Sequence, residues 1–237
     1  MRVVICTVAI GGWYPRGVAR MIQEFAHVSP GIEIQAHVNV LPFGAPANVV
    51  EEQYDYTAYC AKPFALAHAR NTGADVAILL DASFFPIRNI HPLVDYIAQT
   101  GYYLCRNGYS VGEWASDRSL DRMNVSRNAA WSMEEVSSYC VGLNFADGRC
   151  TELLHRWCGY ASDRLTFPGP HTSLWHDGRN KGFVSLDSRV RGHRHDQTSL
   201  SIVAHRLGMN KLCNRPRLTS YRGSETEETV LVNEGLG

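Results

Sequence analysis

The feature that most constrains the fold is an apolar run that ends at a carboxylate. Residues 76–80, Val-Ala-Ile-Leu-Leu, are followed directly by Asp81, and then by Ala82 and Ser83. A short apolar run of this kind is typical of a central strand that is buried on both faces. Open α/β sheets bind their ligands at the carboxyl edge of such strands. The run therefore predicts an α/β fold with Asp81 at the ligand-binding edge.

Length and composition predict a single domain over residues 1–237, because 237 residues that are 45% hydrophobic can bury one substantial core. Lys plus Arg and Asp plus Glu are equal at 23 each, so no overall field favours nucleic acid as a partner. The one local basic concentration, residues 189–195, suits a diphosphate better. The Glu-rich end, residues 224–237, predicts a loosely ordered tail.

The cysteines and the first residues indicate the compartment. The seven cysteines are an odd number without a C-x-x-C pair, which favours free thiols in a reducing environment. The apolar segment at residues 3–10 is too short for a membrane span or a signal peptide, and it predicts a first strand. We therefore expect a cytoplasmic protein with no membrane span.

Strand and helix patterns alternate along the chain, which predicts a sheet flanked by helices. The predicted strands are 3–10, 32–40, 76–81, 102–105, 141–145, 184–186 and one around Leu212. The predicted helices are one that begins at Pro15 with Val18, Met21, Ile22 and Phe25 on one face, then 54–71 with a kink at Pro63 or a start near Ala61, 90–97, 151–161, and a last helix ended by Gly208. Asp196 is predicted to be the N-cap of that last helix.

Residues 106–133 lose hydrophobic periodicity, and we predict a long functional loop there. Glu113, Trp114 and Asp117 in this segment are candidate ligand-binding residues. Residues 165–183 are also predicted to be a loop. The Gly11–Gly12 turn fits neither the dinucleotide-binding nor the P-loop pattern, and an ordinary tight turn is favoured there.

Three pieces converge on one resemblance: the glycine turn after the first strand, Lys62 on a helix, and a buried strand that ends in Asp81-Ala82-Ser83. This arrangement resembles the GT-A type of nucleotide-sugar glycosyltransferase, whose sheet ends in an Asp-x-Asp signature. A second segment, Gly192-His193-Arg194-His195-Asp196-Gln197, is similar to the His- and Asp-Gln-bearing segment that opens a late helix in many such enzymes. Together the matches extend from Thr7 to about Met209.

The resemblance implies a single GT-A (Rossmann-like) domain with a mixed central sheet flanked by helices. It also implies an enzyme that transfers a hexosyl or deoxyhexosyl group from a nucleotide-sugar donor to a hydroxyl of a glycan or related acceptor. In the implied reaction Asp196 is the general base of a single inverting displacement. The residues implied to bind the nucleotide sugar are Thr7, Ala9, Tyr14, Lys62, Asp81, Ala82 and Ser83. The acceptor sugar is expected to stack on Trp114 and to hydrogen-bond to Glu113 and Asp117.

The resemblance further implies a divalent cation, Mn or Mg, held by Asp81 with His193 or His195. Ser83 stands where the family has its second aspartate, and a neutral hydroxyl is a poorer ligand than a carboxylate. The alternative is that Lys62 and the arginines near Arg191 supply the positive charge instead. His193 and His195 would face opposite ways in an extended stretch, so we expect one of them to be structural.

Two other functions stay open. A sugar nucleotidyltransferase would need a Gly-rich, Lys/Arg-bearing loop after the first strand, and residues 11–16 match this poorly. A non-catalytic nucleotide-sugar-binding protein is suggested by Ser83, since it occupies the place of a metal-binding carboxylate.

Overall fold

The computed structural model describes residues 1–46, 50–51, 54–55, 57–169 and 184–235, with side chains placed in 1–46, 59–169 and 184–235. Within these ranges, no helix has the length and apolar character needed to cross a bilayer. A 3-10 turn, Val111–Glu113, accompanies the regular elements. These are β1 (Val3–Ala9), α1 (Tyr14–Val28), β2 (Glu33–Val38), β3 (Val50–Glu51), β4 (Tyr54–Asp55), α2 (Thr57–Asn71), β5 (Val76–Leu80), β6 (Phe84–Pro86), α3 (His91–Thr100), β7 (Tyr102–Ser110), α4 (Asp117–Arg122), α5 (Arg127–Trp131), β8 (Glu134–Asn144), α6 (Gly148–Ser162), α7 (His195–Arg206), β9 (Thr219–Tyr221) and β10 (Leu231–Asn233).

The central sheet has five strands in the order β2-β1-β5-β8-β7. β1 pairs in parallel with β2 and β5, whereas β8 is antiparallel to both β5 and β7. Strand β5 lies in the middle, and all its residues are buried. The predicted mixed α/β sheet is therefore confirmed, with the run that ends at Asp81 at its centre.

The two faces of the sheet are covered by different helices because successive strand residues point to opposite sides. Helices α2, α6 and α7 cover one face, where Cys6 and Leu79 pack with Leu66 and Trp157. Helices α1 and α3 cover the other face. There, Ile5, Ile78 and Leu80 pack with Met21, Phe25, Leu93 and Ile97.

A bulge in β8 lies beside the end of β5. Tyr103 of β7 pairs with Gly142, whereas Cys105, two residues further along, pairs with Ser137. The intervening β8 residues therefore leave the regular register with β7, as bulged residues do. The Asp81 N–H donates to the carbonyl oxygen of Tyr139, inside this bulge, at 2.9 Å.

A second, three-stranded sheet of order β6-β10-β9 contains residues 231–233 as β10. Leu231 and Val232 are fully buried, and the Glu234 N–H donates to the Ser83 carbonyl oxygen at 3.2 Å. The prediction of a loosely ordered tail is therefore wrong for residues 229–233. The reason is that the short apolar run Val-Leu-Val at 230–232 pairs with β6, although the residues before it are polar.

The predicted loop at 106–133 is also wrong, because the segment folds into the end of β7, a 3-10 turn, α4 and α5. Each short helix begins at a serine, namely Ser110, Ser116 and Ser126. The side chain of each accepts a hydrogen bond from a backbone N–H in the first turn. Such N-caps stabilise helices too short to show hydrophobic periodicity.

Smaller predictions also need correction. Residues 184–186 form no strand, and Leu186 is 89% exposed. Around Leu212 the pairing is reduced to a single bridge between Cys105 and Cys213. Ile22 is 45% exposed rather than on the buried face of α1. Asp196 lies in the first turn of α7, where Arg194 is the capping position. Residues 170–183 of the predicted loop lie outside the described residues.

All seven cysteines are free thiols, and only Cys158 has more than slight exposure. Burial raises the pKa of the Cys60 thiol to about 12 and that of Cys150 to about 12. These cysteines are thus uncharged members of the core.

Candidate active site

Lys62 holds together the polar cluster at the end of β5. Its Nζ lies 2.8 Å from Asp81 Oδ1 and 3.2 Å from Asp196 Oδ2. It also donates to Ser138 Oγ at 3.3 Å. These contacts use all three N–H donors of the ammonium group. We refer to Lys62, Asp81 and Asp196 as the lysine cluster.

The three side chains of the lysine cluster differ in their exposure to solvent. The Lys62 side chain is 12% exposed, Asp81 33% and Asp196 2%. Burial alone would lower the pKa of Lys62, but the two carboxylates hold it above its ordinary value. Burial raises the pKa of Asp81, and the Lys62 ammonium opposes that rise. Lys62 is therefore a fixed cation at the ligand-binding edge, with Asp81 on its solvent side.

Three different elements bring the lysine cluster together. Asp81 follows β5, and a tight turn holds it, since the Phe84 N–H donates to the Asp81 carbonyl at 2.9 Å. Lys62 lies on α2, which packs against β1 and β5. Asp196 lies in the first turn of α7, where the helix dipole favours a negative charge. Trp157 Nε1 of α6 donates to the Asp196 carbonyl at 3.2 Å and fixes that turn against the core.

The other residues predicted to bind the donor lie around this edge in different ways. Ala82 is buried and Ser83 half-buried, both in the turn after Asp81. Thr7 and Ala9 are fully buried, and by strand alternation they lie on the α1 face, opposite Lys62. Tyr14 is 50% exposed at the start of α1. The structure therefore places Lys62, Asp81 and Asp196 together, and Thr7 and Ala9 on the other side of the sheet.

The predicted acceptor residues take part in local contacts of the 110–131 segment. Glu113 closes a capping box with Ser110 and forms an ion pair with Arg191 at 3.4 Å. Trp114 is half-buried, and the Arg194 guanidinium lies 4.1 Å from its ring centroid.

Asp117 is equally engaged, since it contacts Arg127 and accepts from Ser185 Oγ at 2.8 Å. Burial would raise the pKa of Asp117, but the Arg127 and Ser185 hydrogen bonds hold it below its ordinary value. The hydrogen bonds and ion pairs of both carboxylates thus serve the segment itself.

One buried network was missed from the sequence. Glu135 on β8 is 1% exposed, and its Oε2 accepts from Asn107 Nδ2 at 2.8 Å and from Arg194 Nη1 at 2.9 Å. Asn107 Nδ2 also donates to Gln197 Oε1 at 3.0 Å, so the network reaches the residue next to Asp196. Burial raises the pKa of Glu135 to about 7, against the opposing effect of Arg194. A glutamate at the start of a strand gives no sequence signal that it faces inward.

Arg215 is a second residue that the sequence did not single out. Its guanidinium lies 4.3 Å from the Tyr139 ring centroid and 4.9 Å from that of Tyr221. Its Nη2 donates to Ser137 Oγ at 3.2 Å and to Asn107 Oδ1 at 3.3 Å. Within the part of the chain that the structure describes, no carboxylate lies at ion-pair distance from Arg215.

His193, predicted to be a metal ligand, is fully buried among backbone groups. Its Nδ1 accepts from the Ser116 N–H at 3.3 Å, and its Nε2 lies 3.0 Å from the carbonyl oxygens of Thr166 and Phe167. This pattern fits a neutral ring with its proton on Nε2, directed at those carbonyls. The hydrogen bonds therefore give His193 a structural role rather than the predicted ligand role.

The residues at this edge do not fit a divalent cation. Asp81 Oδ1 faces the Lys62 ammonium at 2.8 Å, and Ser83 offers only a neutral hydroxyl. His195 is likewise engaged, since its Nδ1 lies 2.9 Å from the Phe167 carbonyl oxygen and its ring stacks on Tyr59. Among the described residues, no group of three or more His, Cys, Asp or Glu side chains is arranged to hold a metal.

Comparisons with known proteins establish the fold. No family model and no curated protein matches the sequence. Among solved structures, a glycosyltransferase involved in the glycosylation of the major capsid of PBCV-1 superposes with a TM-score of 0.54 at 9% identity, covering 98% of this chain and 93% of that chain.

Two further structures are similar at lower scores. Mouse xyloside xylosyltransferase 1 gives a TM-score of 0.48 at 8% identity, covering 98% of this chain and 96% of that chain. The galactosyltransferase LgtC, in complex with donor and acceptor sugar analogs, gives 0.44 at 10% identity, covering 98% and 86%. The fold therefore follows from the superposition with the PBCV-1 glycosyltransferase, which at 9% identity shows that this chain has the GT-A fold.

Proposed function

We propose that this protein is a glycosyltransferase that moves a sugar, hexosyl or deoxyhexosyl, from a nucleotide-sugar donor to a hydroxyl of a glycan or related acceptor. The observation that carries the proposal is the lysine cluster, which lies at the carboxyl end of the central strand of a GT-A fold. Ligands of open α/β sheets bind at this edge.

The chemistry of sugar transfer matches what this edge supplies. The nucleoside diphosphate gathers negative charge as the glycosidic bond breaks, and preorganised cations lower the barrier to that step. Lys62 keeps its charge because two carboxylates surround it, and Asp81 exposes a carboxylate that can accept hydrogen bonds from donor hydroxyl groups. Both groups are held by core contacts and need little reorganisation.

The role of Asp196 as general base in an inverting displacement stays a prediction. A base must come within hydrogen-bond reach of the acceptor hydroxyl. The Asp196 side chain is 2% exposed and held by Lys62, which favours a role in positioning that lysine. Proton abstraction by Asp196 would require Lys62 to move its contact to the donor.

The acceptor site is proposed to include Trp114. It is a half-buried aromatic side chain of the 110–131 segment, and sugars stack on indole rings. Glu113 and Asp117 support the segment through Ser110, Arg191 and Arg127. We therefore assign acceptor contact to the ring of Trp114 and a supporting role to the two carboxylates.

The first test is thermal stabilisation of the protein by a panel of nucleoside diphosphates and nucleotide sugars. A donor at 100 times its dissociation constant should raise the free energy of unfolding by about 2.7 kcal/mol. Asp196→Asn should then lower donor hydrolysis or transfer, whether Asp196 is the base or positions Lys62, with the exposed Asp95→Asn as its matched control. The proposal is wrong if no nucleotide compound stabilises the protein.

The same experiment separates the enzyme from a non-catalytic nucleotide-sugar binder. That alternative is favoured by Ser83, a neutral residue beside Asp81. A binder would be stabilised by a nucleotide sugar yet would neither hydrolyse it nor transfer its sugar to any of a panel of glycan acceptors. Turnover that Asp196→Asn lowers and Asp95→Asn preserves would exclude the binder.

A further inference from the structure

The cation that contacts Asp81 is the side chain of Lys62 rather than a metal ion. Lys62 Nζ contacts Asp81 Oδ1 at 2.8 Å, so this carboxylate oxygen already has a cation as its partner. Divalent cations need several oxygen ligands, preferably carboxylates. Asp196 is the other carboxylate of the cluster, and it also contacts Lys62, at 3.2 Å.

Lys62 cannot balance a diphosphate alone. Its single positive charge is already shared by Asp81 and Asp196, so the lysine cluster is negative in sum when all three groups are ionised. A negative site repels phosphate at short range. A second cation is needed at the same edge.

Arg215 supplies that cation from the other side of the β8 bulge. Lys62 contacts Ser138, and Arg215 contacts Ser137. The carbonyl oxygen of Tyr139 accepts from the Asp81 N–H, and the Arg215 guanidinium lies 4.3 Å from the centroid of the Tyr139 ring. The two cations therefore contact consecutive residues of β8 from opposite sides of the strand, next to Tyr139, whose backbone binds Asp81. The Tyr139 and Tyr221 rings and the Ser137 hydroxyl hold the guanidinium plane without neutralising it.

We propose that Lys62 and Arg215 together bind the diphosphate of the donor, with Lys62 exchanging its Ser138 contact for a phosphate oxygen, in the place of a divalent cation, so that donor binding is independent of metal. The inference rests on the proposed function, since it assigns the chemistry of the same site. Arginine suits the position because its planar guanidinium can bind two phosphate oxygens at once. Ser83 fits the same scheme, because no second metal-binding carboxylate is required.

The test measures binding of UDP, GDP, ADP and CDP to the full chain by calorimetry, in EDTA and in Mn²⁺. The dissociation constant of the nucleotide that binds should differ by less than about twofold between the two conditions, because no metal ion takes part in binding. A tenfold difference would correspond to about 1.4 kcal/mol. Binding that appears only with Mn²⁺ would overturn the inference and leave the proposed function standing. No binding under either condition would contradict the proposed function itself.

Arginine variants test the second cation. Arg215→Met should weaken nucleotide binding at least tenfold, and Arg215→Lys should restore part of the loss, because it returns the charge. Arg222→Met is the matched control, since Arg222 also lies over an aromatic ring, that of Phe85, but pairs with Glu225. Equal affinities of Arg215→Met and the wild type would show that Arg215 does not bind the diphosphate.

A variant that gains metal binding tests the inference independently of turnover. Ser83→Asp restores a carboxylate pair, and we expect it to bind Mn²⁺ measurably by electron paramagnetic resonance, whereas the wild type does not. Ser83→Asn is the control of equal size without the charge. Tight Mn²⁺ binding by the wild-type protein would contradict the assignment.

Discussion

At the scale of single residues, Glu135 is a buried carboxyl group whose ionisation affects stability near neutral pH. Burial raises its pKa from the ordinary 4.5 to about 7, while Arg194 and Asn107 oppose the rise. Between these pH values the folded protein keeps a proton that the unfolded chain has released. The contribution of Glu135 is therefore fully present below pH 4.5 and is lost as the pH rises through about 7.

Glu135→Gln removes this dependence, because the amide does not ionise. Relative to wild type, the variant should gain stability as the pH rises from 4.5 to about 7 and then level off. The change in the difference is at most about 3 kcal/mol, from 1.36 kcal/mol per pKa unit. Urea unfolding at several pH values measures it. The exposed neighbour Glu134→Gln is the control, and parallel curves for Glu135→Gln and wild type would contradict the assignment.

The sequence indicated the residues of the lysine cluster but not their contacts. Asp81 could be predicted because an apolar run ends at it, and the resemblance singled out Lys62 and Asp196. The rotation of α2 and the packing of Trp157 against α7 decide that all three meet, and these are tertiary effects. Arg215 and Glu135 could not be predicted, since each depends on contacts distant in sequence.

At the scale of elements, long apolar patterns were predictable and short capped helices were not. The central strand and α1 follow directly from their hydrophobic residues. Helices α4 and α5 depend on the caps of Ser116 and Ser126, which periodicity does not detect. The β8 bulge also had no sequence signal, because register depends on the partner strand β7.

The close packing of α3 on the sheet makes Gly142 of β8 sensitive to substitution. A Cβ at this position would lie 2.4 Å from Ile97 Cδ1 and 3.1 Å from Tyr103 Cβ. We expect Gly142→Ala to lower the free energy of unfolding by about 1–3 kcal/mol, the usual cost of overpacking.

Gly159→Ala should raise the free energy of unfolding, whereas Gly142→Ala should lower it. Gly159 lies in α6, and a Cβ there would meet nothing within 4 Å. Since alanine favours helix over glycine, the variant should gain about 0.5–1 kcal/mol in chemical denaturation. A stability of Gly142→Ala equal to that of Gly159→Ala would contradict the packing of α3 described here.

At the scale of the whole molecule, the last strand connects the end of the chain to the proposed site. β10 lies between β6 and β9, Glu234 N–H binds the Ser83 carbonyl, and the Glu234 side chain pairs with Arg20 at 2.8 Å. The composition of 224–237 concealed this, because a three-residue strand inside a polar segment is too short to dominate an average. The end of the chain thus supports the turn that bears Asp81.

Leu231→Ala tests this connection. Leu231 is fully buried, so the substitution should cost about 2–5 kcal/mol of unfolding free energy. Leu186→Ala, at a residue that is 89% exposed, should change stability by less than about 0.5 kcal/mol. Thermal and urea unfolding compare the two variants. Equal stability of both would mean that residues 229–233 are not packed in solution.

The reactivity of the buried thiols measures local unfolding of the protein. Cys6 and Cys140 lie in the central sheet, Cys60 and Cys150 in the helices that cover it, and burial raises the pKa of each. A thiol that is neither ionised nor reachable cannot be alkylated until its surroundings separate. The rate at which an alkylating reagent modifies each cysteine therefore follows the opening of its own region, without any engineered label.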